Sequence, residues 1–341
     1  MIIPMSVFLM IRFFIFSPVE FWDPSCNQDT SSGERTGIFI GNPKDQAFIN
    51  PDPEDCNFQI KTRIDPDSIS DYNFFGRSIS VSGDYMIVGA SDEKVYALNS
   101  GAAYIYKRIN GQWKEYQKLI PAEGGIFRYF GVEVGISGDF AFVREDKNKN
   151  NEKASLYIYH IQGDTWKLHS MIDRHTPGID PTAIFGTVAL GGDHILIGDY
   201  NDAANGALAG AMYILERQGD VWEVVQKVMA SDGAAGDQFA RTISLHGDFA
   251  IAGAGNHFTN GVKTGAAYIF KNSANGWVEH QKLLPPDITK AVNFGFSVSI
   301  HGHHALVGAM DYPGVFFKQG AVFMYHFDGV EWKQNGFFDS S

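Results

Sequence analysis

Two loops carry oxygen-bearing side chains at intervals suited to a hard cation. In the stretch 144–153, Asp146, Asn148, Asn150 and Glu152 recur at every second position, a spacing that can set four oxygens around calcium. A looser set, Asp199, Asn201, Asp202 and Asn205, lies in DYNDAANG. Neither completes the D-x-D-x-D-G pattern, and Lys147 and Lys149 put repelling charge inside the first set. A solvated polar loop is therefore the competing reading of both, and calcium is the candidate cofactor to be tested. His301, His303 and His304 form His-Gly-His-His, a group of transition-metal ligands by type. It stands where other segments read SGDY or HGDF, so a hairpin tip explains it as well. Asp84, Asp139, Asp193 and Asp248 each follow a glycine, which marks them as turn residues before catalytic ones. No GxSxG, HExxH, phosphate-binding loop or strand-linked GxGxxG occurs. The expectation is a protein without catalytic residues, the alternative being carboxylates assembled from separate loops.

The elements that must position these residues repeat. Phe75, Phe130, Phe185, Phe239 and Phe294 recur at intervals of 54 or 55 residues, and Trp113, Trp166, Trp222, Trp277 and Trp332 keep the same beat. Each unit reads as four strands. An alternating strand ends in a Gly-Asp turn, a pair that tolerates the positive φ of a tight hairpin. Next come an apolar strand such as MIVGA, a variable loop, a strand such as GAAYIY, a Gly-containing turn, and the tryptophan strand. With no amphipathic helix in sight, the prediction is an all-β β-propeller of four-stranded antiparallel blades, which buries both faces of every sheet. The five repeats lie near 75–119, 130–172, 185–228, 239–283 and 294–338. Phe58–Ile64 sits where a further fourth strand belongs, and Gly37–Ile40 where its third strand belongs. Six blades are therefore expected, with five or seven as the alternatives.

The propeller is assigned to 36–341 and an apolar segment to 1–35, read as an export signal or as degenerate blade strands. Cys26 and Cys56 are open to two readings, a disulfide or two thiols. A net charge of -12 with no long basic run argues against a nucleic-acid partner. Membrane association is expected only through the N-terminal segment.

Phe-Gly opening the first strand, Gly-Ala closing the second, then G-x-x-Y-I-Y/F and Gly-x-Trp resemble the FG-GAP repeat. This is the blade repeat of the integrin α-chain head and of many secreted bacterial proteins. Ser231–Ala254, SDGAAGDQFARTISLHGDFAIAGA, is similar to the bacterial form. The resemblance spans about residues 57–338. It implies an extracellular or cell-surface recognition and adhesion module, without itself fixing the activity.

The Gly-Asp turns keep their wording, whereas loops 91–100, 144–153, 199–209, 255–264 and 310–319 do not. That contrast predicts a scaffold displaying one variable face to a protein or glycan ligand. Tyr96, Phe258, Tyr312, Phe316 and Phe317 are the candidate contact residues, packing over blade edges being their other possible use. A propeller lyase or hydrolase, or a structural repeat of a larger surface assembly, are the alternatives.

Overall fold

The computed structural model describes residues 35–39, 58–67, 73–121, 125–146, 154–313 and 319–339. Twenty-two strands and no helix occur among them. The first two, β1 (Arg35–Phe39) and β2 (Phe58–Arg63), pair with each other in parallel. The remaining twenty form five four-stranded sheets, each consecutive in the chain. Blade 1 is β3 (Phe75–Ser82), β4 (Tyr85–Ala90), β5 (Ala102–Ile109) and β6 (Gln112–Leu119). Blade 2 is β7 (Glu133–Ser137), β8 (Phe140–Glu145), β9 (Ser155–Gln162) and β10 (Thr165–Ile172). Blade 3 is β11 (Val188–Gly191), β12 (His194–Asp199), β13 (Ala211–Gln218) and β14 (Val221–Val228). Blade 4 is β15 (Thr242–His246), β16 (Phe249–Ala254), β17 (Ala266–Ser273) and β18 (Gly276–Leu283). Blade 5 is β19 (Phe294–His301), β20 (His304–Ala309), β21 (Ala321–Phe327) and β22 (Trp332–Asp339).

The fold is thus an all-β β-propeller with four-stranded blades, and the described residues form five of them where six were expected. The extra blade fails at its proposed third and fourth strands. Consecutive strands of a blade run antiparallel, but the segment at Gly37 pairs with the Phe58 strand in parallel. No Phe-Gly or Gly-Asp pair of the kind seen in the other blades occurs ahead of Phe58. The export segment and both cysteines lie outside the described residues.

Of the described residues, those within Ile15–Asn151 and His160–Lys167 form one compact unit, and those within Glu152–Tyr159 and Leu168–Ser341 another. In the first unit, blade 1 is joined to the next inner strand by side chains. Ser78, Ser80 and Ser82 hydroxyls accept the N–H groups of Val134, Ile136 and Gly138 at 3.0–3.1 Å. The serines of the alternating strand therefore replace a backbone ladder between neighbouring inner strands. At the outer strand, Gln117 bonds both backbone groups of Trp166, and the Trp166 ring meets Tyr85 edge-on. Gly89 is glycine because a Cβ there would stand 2.0 Å from the Gly131 carbonyl oxygen.

The second unit repeats these joints. Gln226 holds the backbone of Trp277, and Gln281 that of Trp332. The two rings pack edge-on against His194 and Phe249. Ser244 accepts from Ile300, and a Cβ on Gly253 would lie 2.0 Å from the Gly295 oxygen. Phe239 and Phe294 are fully buried against Tyr268 and Phe323. The repeated words of the sequence are consequently the contacts between one blade and the next.

Candidate functional site

At the turn end of each blade, the residue after the turn glycine, between the first and second strands, lies beside the third strand. The N–H groups of Arg108, Arg217 and Asn272 donate to the carbonyls of Asp84, Asp193 and Asp248. Asp84 and Asp193 also take the guanidinium groups of Arg108 and Arg217. These aspartates hold hairpins together. The histidines of the His301 turn pack on other histidines: His301 on His246 with ring centres 4.1 Å apart, and His304 on His326 at 4.9 Å. Burial, followed by the neighbouring imidazole, lowers the pKa of both His246 and His304.

The other end of each blade carries the variable loops, and their frame is constant. In blades 1, 3, 4 and 5 the glycine ahead of the third strand donates back across the loop. Gly101 reaches the carbonyl of Glu93, Gly210 that of Asp202, Gly265 that of His257 and Gly320 that of Tyr312, all at 2.9–3.1 Å. The side chain of the accepting residue turns inward onto a cross-strand pair. Glu93 takes the Tyr104 hydroxyl at 2.6 Å and the Lys118 ammonium, which also lies over the tyrosine ring. In blade 3, Asp202 takes Lys227 over the ring of Tyr213. In blade 4, Lys282 donates to His257 Nε2 at 2.8 Å, so Nδ1 keeps the proton and donates to Asp237 at 2.7 Å. Tyr268 and Lys282 both bond Asp232. Burial alone would raise the Asp232 pKa, but these two bonds and the neighbouring positive charge hold it down. In blade 5 the whole trio is aromatic: Tyr312 meets Phe323 at 5.5 Å and Phe337 at 5.3 Å.

These trios decide what the predicted ligands do. Asp202 belongs to Lys227 and to the Ala204 N–H, while the buried Asp199 accepts from Ile184 and Asn201, both at 3.2 Å. Burial pushes the Asp199 pKa up, against those two bonds. Asn205 is exposed. Asp146 is bound by the Arg144 guanidinium, and Asn148, Asn150 and Glu152 lie outside the described residues. Among the described residues no three His, Cys, Asp or Glu side chains are arranged to hold a metal ion. Of the candidate contact residues, Tyr96 and Phe258 are 52% and 56% exposed, each on its own loop. Tyr312 is half-buried in its aromatic trio, and Phe316 and Phe317 lie outside the described residues.

Sequence reasoning missed the residue just before four of the five repeat phenylalanines. Phe74, Tyr129, Gln238 and Asn293 all have φ of 50–53°. Between the loop ends of blades 4 and 5, Gln238 and Asn293 help to line a cleft of about 270 Å³ with Arg241, Asn256, Lys263 and Phe296. Gln238 is fixed by Arg241 and Asn256, each donating to its side-chain oxygen at 2.8 Å. Reading the columns of the repeat downward would have exposed this position, which runs Phe74, Tyr129, Ile184, Gln238 and Asn293, aromatic in the first two repeats and amide in the last two.

The sequence model of the FG-GAP repeat matches residues 62–106, 222–270 and 277–325. Two of these matches start on a tryptophan strand and end on the third strand of the next blade, so the sequence repeat spans a joint. No curated protein matches the chain significantly.

Proposed function

The chain carries three matches to the FG-GAP repeat, and from that premise we propose that it is a non-catalytic recognition module of the cell surface or extracellular space, binding a protein or glycan through its variable loops. One observation carries this reading. Loops with unrelated sequences are closed by the same glycine N–H bond to the same position, which fixes the frame and leaves the contents free to differ. A loop already closed by such a bond has less backbone freedom to lose when a ligand arrives. The buried carboxylates support a role without catalysis, because Glu93, Glu145, Asp199, Asp202 and Asp237 are all engaged in holding loops. No helix among the described residues is long and apolar enough to cross a membrane.

The test is a screen of glycans and surface proteins, run with calcium and with a chelator. A ligand should emerge whose binding drops roughly tenfold or more in Tyr96→Ala or Phe258→Ala, at unchanged melting temperature. A ligand indifferent to both substitutions would place recognition elsewhere.

A further inference from the structure

The cleft between the loop ends of blades 4 and 5 differs from its surroundings in charge. The chain as a whole is strongly acidic, yet Arg241 and Lys263 both line this cleft, and neither makes an ion pair among the described residues. Most of the Arg241 guanidinium remains available, since one of its nitrogens donates to Gln238 and the group otherwise lies over the Tyr200 ring. The amides add both hydrogen-bond senses. With its oxygen taken by two donors, Gln238 offers its NH2, while Asn293 donates to Asp311 and offers its oxygen. Half-buried Phe296 and Met310 supply an apolar wall. The second strand of blade 4 is followed by Gly255, where blades 3 and 5 have Tyr200 and Met310, and the missing side chain leaves the cleft open.

From this arrangement we infer that the cleft binds a sugar carrying a carboxylate, of the uronic acid class. A bare carboxylate would use the two cations and leave the amides and the aromatic wall idle. A neutral sugar would use the amides and the wall and leave two cations unpaired. A hydroxylated ring bearing a carboxylate uses all three: guanidinium and ammonium for the acid, amides for hydroxyls, and Phe296 for the apolar ring face. At about 270 Å³ the space suits one ring. The inference rests on the recognition reading and names a ligand class and a place for it.

Titration of the full chain with D-glucuronate, D-glucose and sodium acetate, followed by calorimetry or NMR, tests it. Glucuronate is expected to bind, with glucose and acetate each at least about tenfold weaker. Arg241→Gln and Lys263→Gln should each weaken glucuronate by roughly tenfold, and rising salt should weaken it further. Gly255→Tyr, whose Cβ meets only ordinary contacts at 3.4 Å and beyond, should block the cleft while the fold melts as before. Glucose or acetate binding as well as glucuronate, no glucuronate binding at tens of millimolar, or full binding by the variants would each overturn the assignment. No glucuronate binding, beside a screen ligand lost in Tyr96→Ala or Phe258→Ala, would sink this inference alone and leave the broader reading standing.

Discussion

The loop end around Phe74 and Tyr129 and the loop end around Gln238 and Asn293 share one backbone and differ in everything they display. In both, the residue before the repeat phenylalanine has left-handed φ, and in both a second-strand glycine packs on the next Phe-Gly carbonyl. Asparagine takes that conformation readily, whereas a bulky aromatic does so at a cost. Nevertheless Phe74 stands 60% exposed there, with the Arg77 guanidinium over its ring. The first region carries aromatic rings at this position, and the second carries amides beside the cations of the cleft. The joint dictates the backbone and leaves the side chain above it free to differ.

The largest effect should fall equally on both regions, because the joint is common to them. Gly89→Ala and Gly253→Ala each force a Cβ to 2.0 Å from a carbonyl oxygen and should destabilise by about 3 kcal/mol or more in chemical denaturation. If either is neutral, the regions do not share a joint. Tryptophan truncation should separate them instead. Trp277, 2% exposed and bonded by Gln226, should cost about 3–5 kcal/mol as Trp277→Ala, whereas half-buried Trp113, topped by Arg108, should cost clearly less.

Exchanging the left-handed residues sharpens the comparison at smaller scale. Phe74→Asn should stabilise by about 1 kcal/mol, since the ring buries little and the backbone strain is relieved. Asn293→Phe should lose about 1–2 kcal/mol, with its bond to Asp311 gone as well. Equal changes in melting temperature would mean that the αL conformation carries no such cost here.

The smallest effect is one of pH, and it belongs to blades 4 and 5. His246 and His304 have lowered pKa values in the folded chain, so the unfolded chain binds more protons as pH falls through about 6.5. Stability is therefore full above that value and declines below it. The melting temperature should drop between pH 7.5 and 5.5, and less so in a His246→Gln, His304→Gln double variant. An unchanged slope in that variant would remove these two histidines from the account.

Most of the fold was legible because its joints are written in the same few residue types at a nearly fixed interval. Phenylalanine, paired glycines and tryptophan cannot be exchanged where a Cβ or a cavity would intrude, so Phe75 to Phe294 and Trp113 to Trp332 kept their spacing. The blade count was less legible: Phe58 reads like a fourth strand, but its pairing direction is a property of the backbone alone. The site was least legible. Glu93, Tyr104 and Lys118 are far apart in sequence, and they meet only because Tyr104 lies opposite Lys118 across the β5–β6 ladder. The chain does hold one clue in parallel columns, where the acid or histidine, tyrosine and lysine of blades 1, 3 and 4 become three aromatics together in blade 5. The open cations of the cleft left no such trace, since Arg241 and Lys263 are 22 residues apart and belong to different loops.

The central claim is that ligands meet the loop ends of the blades while the turn ends serve the fold. It is tested most directly by measuring the affinity of a screen-derived ligand for Tyr96→Ala, Phe258→Ala and Arg241→Gln beside the turn-end variants Asp84→Ala and Asp193→Ala. The account predicts that at least one loop-end substitution weakens binding tenfold or more while both turn-end variants bind like the parent chain. Loss confined to Asp84→Ala or Asp193→Ala would contradict it.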